Sequence, residues 1–251
     1  MLVKYLKAIL IFLAFSTNVV AQNYDAIFER ANSFYEQRSY DSAKSNYFMI
    51  YSSGMISKEL FLNLGNSYFK LDSLPSAILF YEKGLKIAPG NKDLMHNLQF
   101  CNTLLKDKNS IKKSIFINDL ILSFLGKSPN YWAISSIILL LLACILFFFY
   151  WISNEYSYKR IYFYSLVLTL LLFFFTIFLS AISEAKVKDS NYAIIFSPVA
   201  KVMTAPSVNS STTYQLHEGS KAKITGESDQ WYEISFNERK GWIEKKYLKK
   251  I

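Results

Sequence analysis

The thiol and imidazole side chains, the readiest nucleophiles and transition-metal ligands near neutral pH, are few in this 251-residue chain: two cysteines and two histidines. His96 and Cys101 are five residues apart, a spacing that does not stack them on one helical face. His217 belongs to a different region, and Cys144 sits inside a long uncharged apolar run. No Gly-rich loop suited to phosphate, no Ser/His/Asp set and no metal-ligand cluster accompanies them. The sequence therefore predicts no catalysis and no cofactor. Cys101 and Cys144 are placed too differently to pair, so the chain is not a disulfide scaffold. The formal charge of +9 is spread along the chain, with lysine clusters at 106–113 and 245–250. Without a nucleic-acid motif these clusters read as solvated or facing anionic lipid head groups, and no nucleic acid is expected as a partner.

The elements that must position any binding surface are set by a membrane. No charge occurs between Lys127 and Glu155, nor between Arg160 and Glu184. A hydrocarbon core of ~30 Å needs ~20 apolar helical residues, so spans are predicted at 131–153 and 161–183. Tyr131, Trp132, Tyr150 and Trp151 suit an interfacial aromatic belt. The loop at 154–160 carries Lys159 and Arg160 against Glu155, which fits the positive-inside rule and makes it cytoplasmic. Residues 1–21 read as a signal peptide, with Lys4 and Lys7 ahead of a short apolar core and small residues before Gln22. An uncleaved anchor is the other reading, and it leaves the topology of both soluble parts unchanged. Residues 108–130 carry the stripe Phe116, Ile117, Leu120, Ile121, Phe124 and Leu125, which suits a helix in the membrane interface or one docked on the preceding domain.

Residues 24–107 repeat. A shift of 34 residues places Ala31 on Gly65, Phe34 on Tyr68, Tyr40 on Leu74, Ala43 on Ala77, Tyr47 on Tyr81 and Met55 on Pro89. Small residues let paired helices approach, and the aromatics fill the space beside them. This pattern resembles the tetratricopeptide repeat, a pair of antiparallel helices, with units at about 24–57 and 58–91. A helix at 91–107, apolar at 94, 95, 98, 101, 104 and 105, is expected to cap the second unit. The resemblance implies that the first helix of each unit lines a concave groove. That face would carry Phe28, Asn32, Tyr35, Leu62, Asn66, Phe69, His96 and Phe100. Asn32 and Asn66 are repeat equivalents whose amides can clamp a peptide backbone by donating and accepting together. The same residues would also serve simply to stack the helices.

Residues 184–251 change texture. Ala222 and Ile224 alternate with lysines, and Tyr232, Ile234 and Phe236 alternate with Glu233 and Ser235. This period of two predicts a small antiparallel barrel. The strings from Leu216 to Gly219, Trp231-Tyr232 and Gly241-Trp242-Ile243 resemble a bacterial SH3-like domain, in which Gly219 enters a tight turn. Trp231, Trp242 and Tyr247 are then candidates for an aromatic ligand surface, or for the large side chains that so small a core needs.

The sequence thus predicts a multidomain membrane protein: an all-α tetratricopeptide solenoid, two transmembrane helices and a small all-β SH3-like barrel. That order, with the step into the membrane at Ser128-Pro129-Asn130-Tyr131-Trp132, resembles the E-type component of the Bat aerotolerance membrane system. The resemblance implies a bacterial inner-membrane location with both soluble domains in the periplasm. It also implies partners, namely von Willebrand factor A-domain membrane proteins and a MoxR-type ATPase, within a scaffold that acts in stress tolerance. An envelope anchor that grips peptidoglycan through the SH3-like domain is the alternative function. The topology is directly testable. Reporters fused after residues 107 and 251 should both report the outer side and one at Ser157 the inner side; a cytoplasmic signal from either end contradicts it.

Overall fold

The computed structural model describes residues 18–108, 129–188 and 191–251. The signal segment up to residue 17 and nearly all of the linker at 108–130 lie outside the described residues. Five helices open the chain: α1 (Asn18–Glu36), α2 (Tyr40–Ser52), α3 (Lys58–Lys70), α4 (Leu74–Ile87) and α5 (Lys92–Leu104). Each packs against the next.

Local chemistry sets their ends. The Ser57 hydroxyl accepts from Leu60 N at 3.0 Å and the Asn91 amide oxygen from Leu94 N at 2.9 Å, each satisfying an orphan amide of a first turn. Pro75 occupies the first turn of α4, where its missing N–H costs nothing. Arg38 and Asp72, one repeat apart, take left-handed φ values of 61° and 55° and turn the chain between paired helices.

The 34-residue period holds in atomic detail. Ala31, Ala43 and Tyr47 are buried, as are Gly65, Ala77 and Tyr81. A Cβ on Gly65 would stand 2.3 Å from Tyr81 Cε1, so hydrogen is the only side chain this contact admits without movement. A polar ladder repeats with the helices. Tyr47 Oη and Asn63 Nδ2 both donate to Asn32 Oδ1; Tyr81 Oη and Asn97 Nδ2 both donate to Asn66 Oδ1.

Two helices are long and apolar enough to cross a membrane: α6 (Pro129–Ile152) and α7 (Tyr156–Lys188). They pack along each other, with Ser136, Thr169, Thr176 and Ser183 among the buried residues. Small and hydroxylated residues at such a seam let helices approach closely in lipid. The connection is shorter than the expected 154–160 loop, because Tyr156 to Arg160 contains no Gly or Pro and Lys159 N already donates to Glu155 O at 3.0 Å. At its other end α7 continues to Lys188 past the expected limit of 183, again for want of a breaker.

The C-terminal strands are β1 (Tyr192–Ile195), β2 (Val199–Met203), β3 (Thr212–His217), β4 (Lys221–Ser228), β5 (Trp231–Phe236), β6 (Arg239–Glu244) and β7 (Leu248–Lys250). They form one antiparallel sheet in the order β3-β2-β6-β5-β4-β1-β7. All seven contribute to a single core that includes Ala193, Val202, Leu216, Ala222, Ile234, Ile243 and Leu248, so the sheet must coil around it. Among the described residues no ladder joins the edge strands β3 and β7; the expected closed barrel is seen as a coiled sheet.

Strand β1 departs from alternation. Ala193 and Ile195 enter the sheet's core, whereas Ile194 enters the core of the helices beside Ala77, Ile78, Leu98, Cys101 and Leu105. The apolar run through Phe196 is continuous because both faces of the strand are covered. The helix expected to cap the repeats is thus itself capped. Leu94, Leu98, Cys101 and Leu105 are buried, while Met95 and Leu104, expected on the same face, remain about half exposed.

Substituting the tightest helix contact tests this packing. Gly65→Leu should cost ~1–3 kcal/mol by overpacking against Tyr81. Thermal melting of the helical signal in the full-length protein reads that loss, and an unchanged midpoint contradicts the register.

Candidate functional site

Three places bring functional side chains together. The first is a cavity of about 350 Å3 on the helical region, lined by Tyr35, Asn66, Phe69, Lys70, Tyr81, His96, Asn97, Phe100 and Cys101. Five residues expected on the concave face, Tyr35, Asn66, Phe69, His96 and Phe100, meet here. Phe28, Asn32 and Leu62 do not line it. The Phe28 ring packs edge-on against Tyr47 at 5.4 Å, and Leu62 packs on the α4–α5 core.

The two donors reaching Asn66 Oδ1, both at 2.8 Å, match the two lone pairs of an amide carbonyl. What Asn66 retains for a ligand is its NH2 group, so it offers donors where a two-way clamp was expected. Asn63 and Asn97, the second members of the ladder, were missed; their own 34-residue spacing was the available signal. Phe69 and Phe100 form an edge-to-face pair at 5.7 Å, with Phe100 about half exposed. Burial pushes the Cys101 thiol up to about 11, so it stays protonated at neutral pH and is a poor nucleophile. Burial also raises the Tyr81 phenol, against the lowering effect of Asn97.

The second is a cavity of about 290 Å3 on the β-module, lined by Val199, Lys201, Met203, Val208, Trp231, Glu244 and Tyr247. Trp231 pairs with Glu244 across β5 and β6, on the sheet face opposite Ile234 and Ile243. Of the three expected aromatics, Trp231 and Tyr247 therefore share one concavity. Trp242 lies on the same outer face, in register with Glu233 and Met203, and does not line the cavity. Lys201 and Glu244 add opposite charges to an aromatic and aliphatic floor.

The third is the junction between the modules, which sequence reasoning missed. Asp107 accepts from His217 N at 2.5 Å and from Ser220 Oγ at 2.8 Å, and its other oxygen lies 2.9 Å from His217 Nδ1. Lys221 pairs with Glu82 at 2.7 Å. Gly219, at φ +83°, brings the turn so close that a Cβ would stand 2.4 Å from Leu105 Cδ2. The tight turn expected at Gly219 is real, and the helical region is what requires its bareness. For the Asp107 carboxyl, burial raises the pKa, but the hydrogen bonds from His217 and Ser220 outweigh it and hold the group below its ordinary value of 3.8.

Residues 199–249, about a fifth of the chain, match the bacterial SH3 domain family. The match begins at β2, so β1 precedes it and is the strand that joins that domain to the helices. No curated protein matches the chain.

The junction makes a signed pH prediction. A depressed carboxyl stabilises the folded state above its unfolded pKa, and the contribution is lost as pH falls through the lower folded value. Hydrogen exchange at the His217 amide should accordingly rise as pH drops below the ordinary carboxylate range, after correction for intrinsic rates. Asp107→Ala should raise it by about 5- to 150-fold at neutral pH, since an unpaired buried donor costs ~1–3 kcal/mol. Equal protection in the variant and the parent would exclude Asp107 as the group that holds this turn.

Proposed function

We propose that the chain is a non-catalytic membrane-anchored scaffold that presents two recognition modules as one docked unit on a single membrane face. The observation that carries this is the junction: Ile194, Asp107 and Glu82 tie the SH3 domain to the helices across the two-span insertion. Two antiparallel spans return the chain to its starting side, and a direct contact between the flanking modules requires that side to be shared. On this reading the repeated helix pairs are tetratricopeptide units, supported by the 34-residue recurrence of the Tyr–Asn–Asn ladder. The shared side is the periplasm of a bacterial inner membrane. The groove takes an extended segment of a partner protein, with Phe69 and Phe100 as apolar anchors and the Asn66 NH2 and Lys70 as donors. Resemblance to the Bat-type aerotolerance systems makes von Willebrand factor A-domain membrane proteins and a MoxR-type ATPase the partners to test. Tethering both modules to one bilayer raises the effective concentration of the second binding event once the first has occurred.

A second reading, peptidoglycan binding, is favoured by one observation: the outer-face cavity of the SH3 domain combines Trp231 and Tyr247 with Lys201 and Glu244. Polar, charged wall peptides suit such a surface.

Single substitutions separate the two. Phe100 is about half exposed and carries little of the core, so Phe100→Ala should leave melting intact. Partner capture from native membranes should fall by about tenfold or more if Phe100 is a hot spot of the interface. Unaltered capture by a folded Phe100→Ala protein counts against the groove. Loss of sacculus binding on Lys201→Ala, with capture intact, favours the peptidoglycan reading.

A further inference from the structure

The β-module cannot stand far from the bilayer. Helix α7 ends at Lys188 and β1 begins at Tyr192, so four Cα steps, at most about 14 Å, separate them. The apolar span itself closes at Glu184, one helical turn before Lys188. Whatever surrounds the start of β1 is therefore held at the level of the lipid head groups or just above it.

What surrounds it is basic. Tyr192 is in register with Lys223, and Ala193 and Ile194 are in register with Lys250 and Lys249 of β7. Ile251 N donates to Tyr192 O, and Lys86, near the end of α4, donates to Ile251 O at 3.3 Å. Lysines from α4, β4 and β7 thus line one short strand, Lys223 opposite its start and the Lys249 ammonium beside Phe196 just past its end. Neighbouring lysines are neutralised within the fold: Lys221 by Glu82, and Lys245 and Lys250 by Glu227. Lys86 is half-buried and engaged by Ile251 O, whereas among the described residues no ion pair involves Lys223 or Lys249. Lys223 and Lys249 are exposed, and the Lys249 ammonium lies 4.4 Å from the Phe196 ring centroid. Exposed cations without a carboxylate partner, beside half-buried aromatics and tethered within head-group reach, match the chemistry of an anionic lipid surface.

We propose that Lys223 and Lys249 form a basic rim that rests on anionic phospholipid head groups and fixes the orientation of the docked modules to the bilayer. The rim belongs to the junction, so it orients the groove and the SH3 cavity together. This inference needs the spans and the junction but not the scaffold reading, since an enzyme or a wall anchor of the same architecture would rest on lipid in the same way.

The test uses the full-length protein in nanodiscs of phosphatidylcholine alone, or of phosphatidylcholine with phosphatidylglycerol. A water-soluble acetylating reagent reports lysine accessibility, with Lys70, exposed at the turn end of the antiparallel α3–α4 pair and so opposite Lys86, as the internal reference. Phosphatidylglycerol should slow acetylation of Lys223 and Lys249 about fivefold relative to Lys70, the effect expected for one lysine at an anionic surface. Salt at about 1 M, which cuts the screening length to ~3 Å, should abolish the difference. Equal rates in the two lipids would overturn the proposal. Equal slowing by inorganic phosphate in phosphatidylcholine discs would also overturn it, by showing a site for free anions in place of a lipid surface.

Discussion

The arrangement depends on one strand that is buried on both sides. Strand β1 has four residues, yet Ala193 and Ile195 belong to the core of the SH3 region and Ile194 to the core of the helices. An isolated helical stack of this length would leave Leu98 and Leu105 bare at its end, and a terminal repeat needs a cover. The β-module supplies that cover. Around the apolar contact, Asp107 collects the His217 and Ser220 donors, which ties the polar groups of that turn to the helical region. Apolar burial gives the contact its attraction. The carboxylate gives it geometry, because an acceptor with three donors around it tolerates little sliding.

From this contact follows the relation between the parts. Helix α5 stands between the groove and the junction: His96, Asn97 and Phe100 face the cavity, Leu98 and Leu105 face the junction, and Cys101 belongs to both. The wall of the groove is thus supported from behind by the module that carries the second cavity. The two halves of the contact flank the paired apolar helices α6 and α7, so the chain leaves and returns on one side of that pair.

Much of this was legible in the sequence, and the reasons differ by element. The two long apolar helices were plain because intervals of 23 residues or more without a charge are long enough to cross a bilayer. The helix pairs were legible because Gly65 and Tyr81 must meet, and that contact recurs as Ala31 and Tyr47. The strands showed in the alternation around Ile234. The junction was not legible. Asp107 and His217 lie 110 residues apart with two spans between them, and a lone carboxylate beside two lysines looks like any solvated charge. One clue was present: Ala193-Ile194-Ile195-Phe196 breaks the period of two expected of a strand with a wet face, and a strand that cannot alternate is covered twice. Asn66 lines the cavity, but the expectation allowed it too much freedom, because the sequence does not show that Tyr81 and Asn97 already occupy the amide oxygen.

The central claim, that the two modules are docked across the paired helices α6 and α7, is tested most directly at its native ion pair. Glu82 and Lys221 lie 2.7 Å apart, within reach of zero-length carbodiimide coupling. Treatment of the full-length protein in native membranes, followed by digestion and peptide mass spectrometry, should recover an amide bond joining the peptides that contain these two residues. It should disappear in Glu82→Gln. Abundant modification of Glu82 and Lys221 on separate peptides, with no joined product, would show that the modules stand apart and would contradict the account.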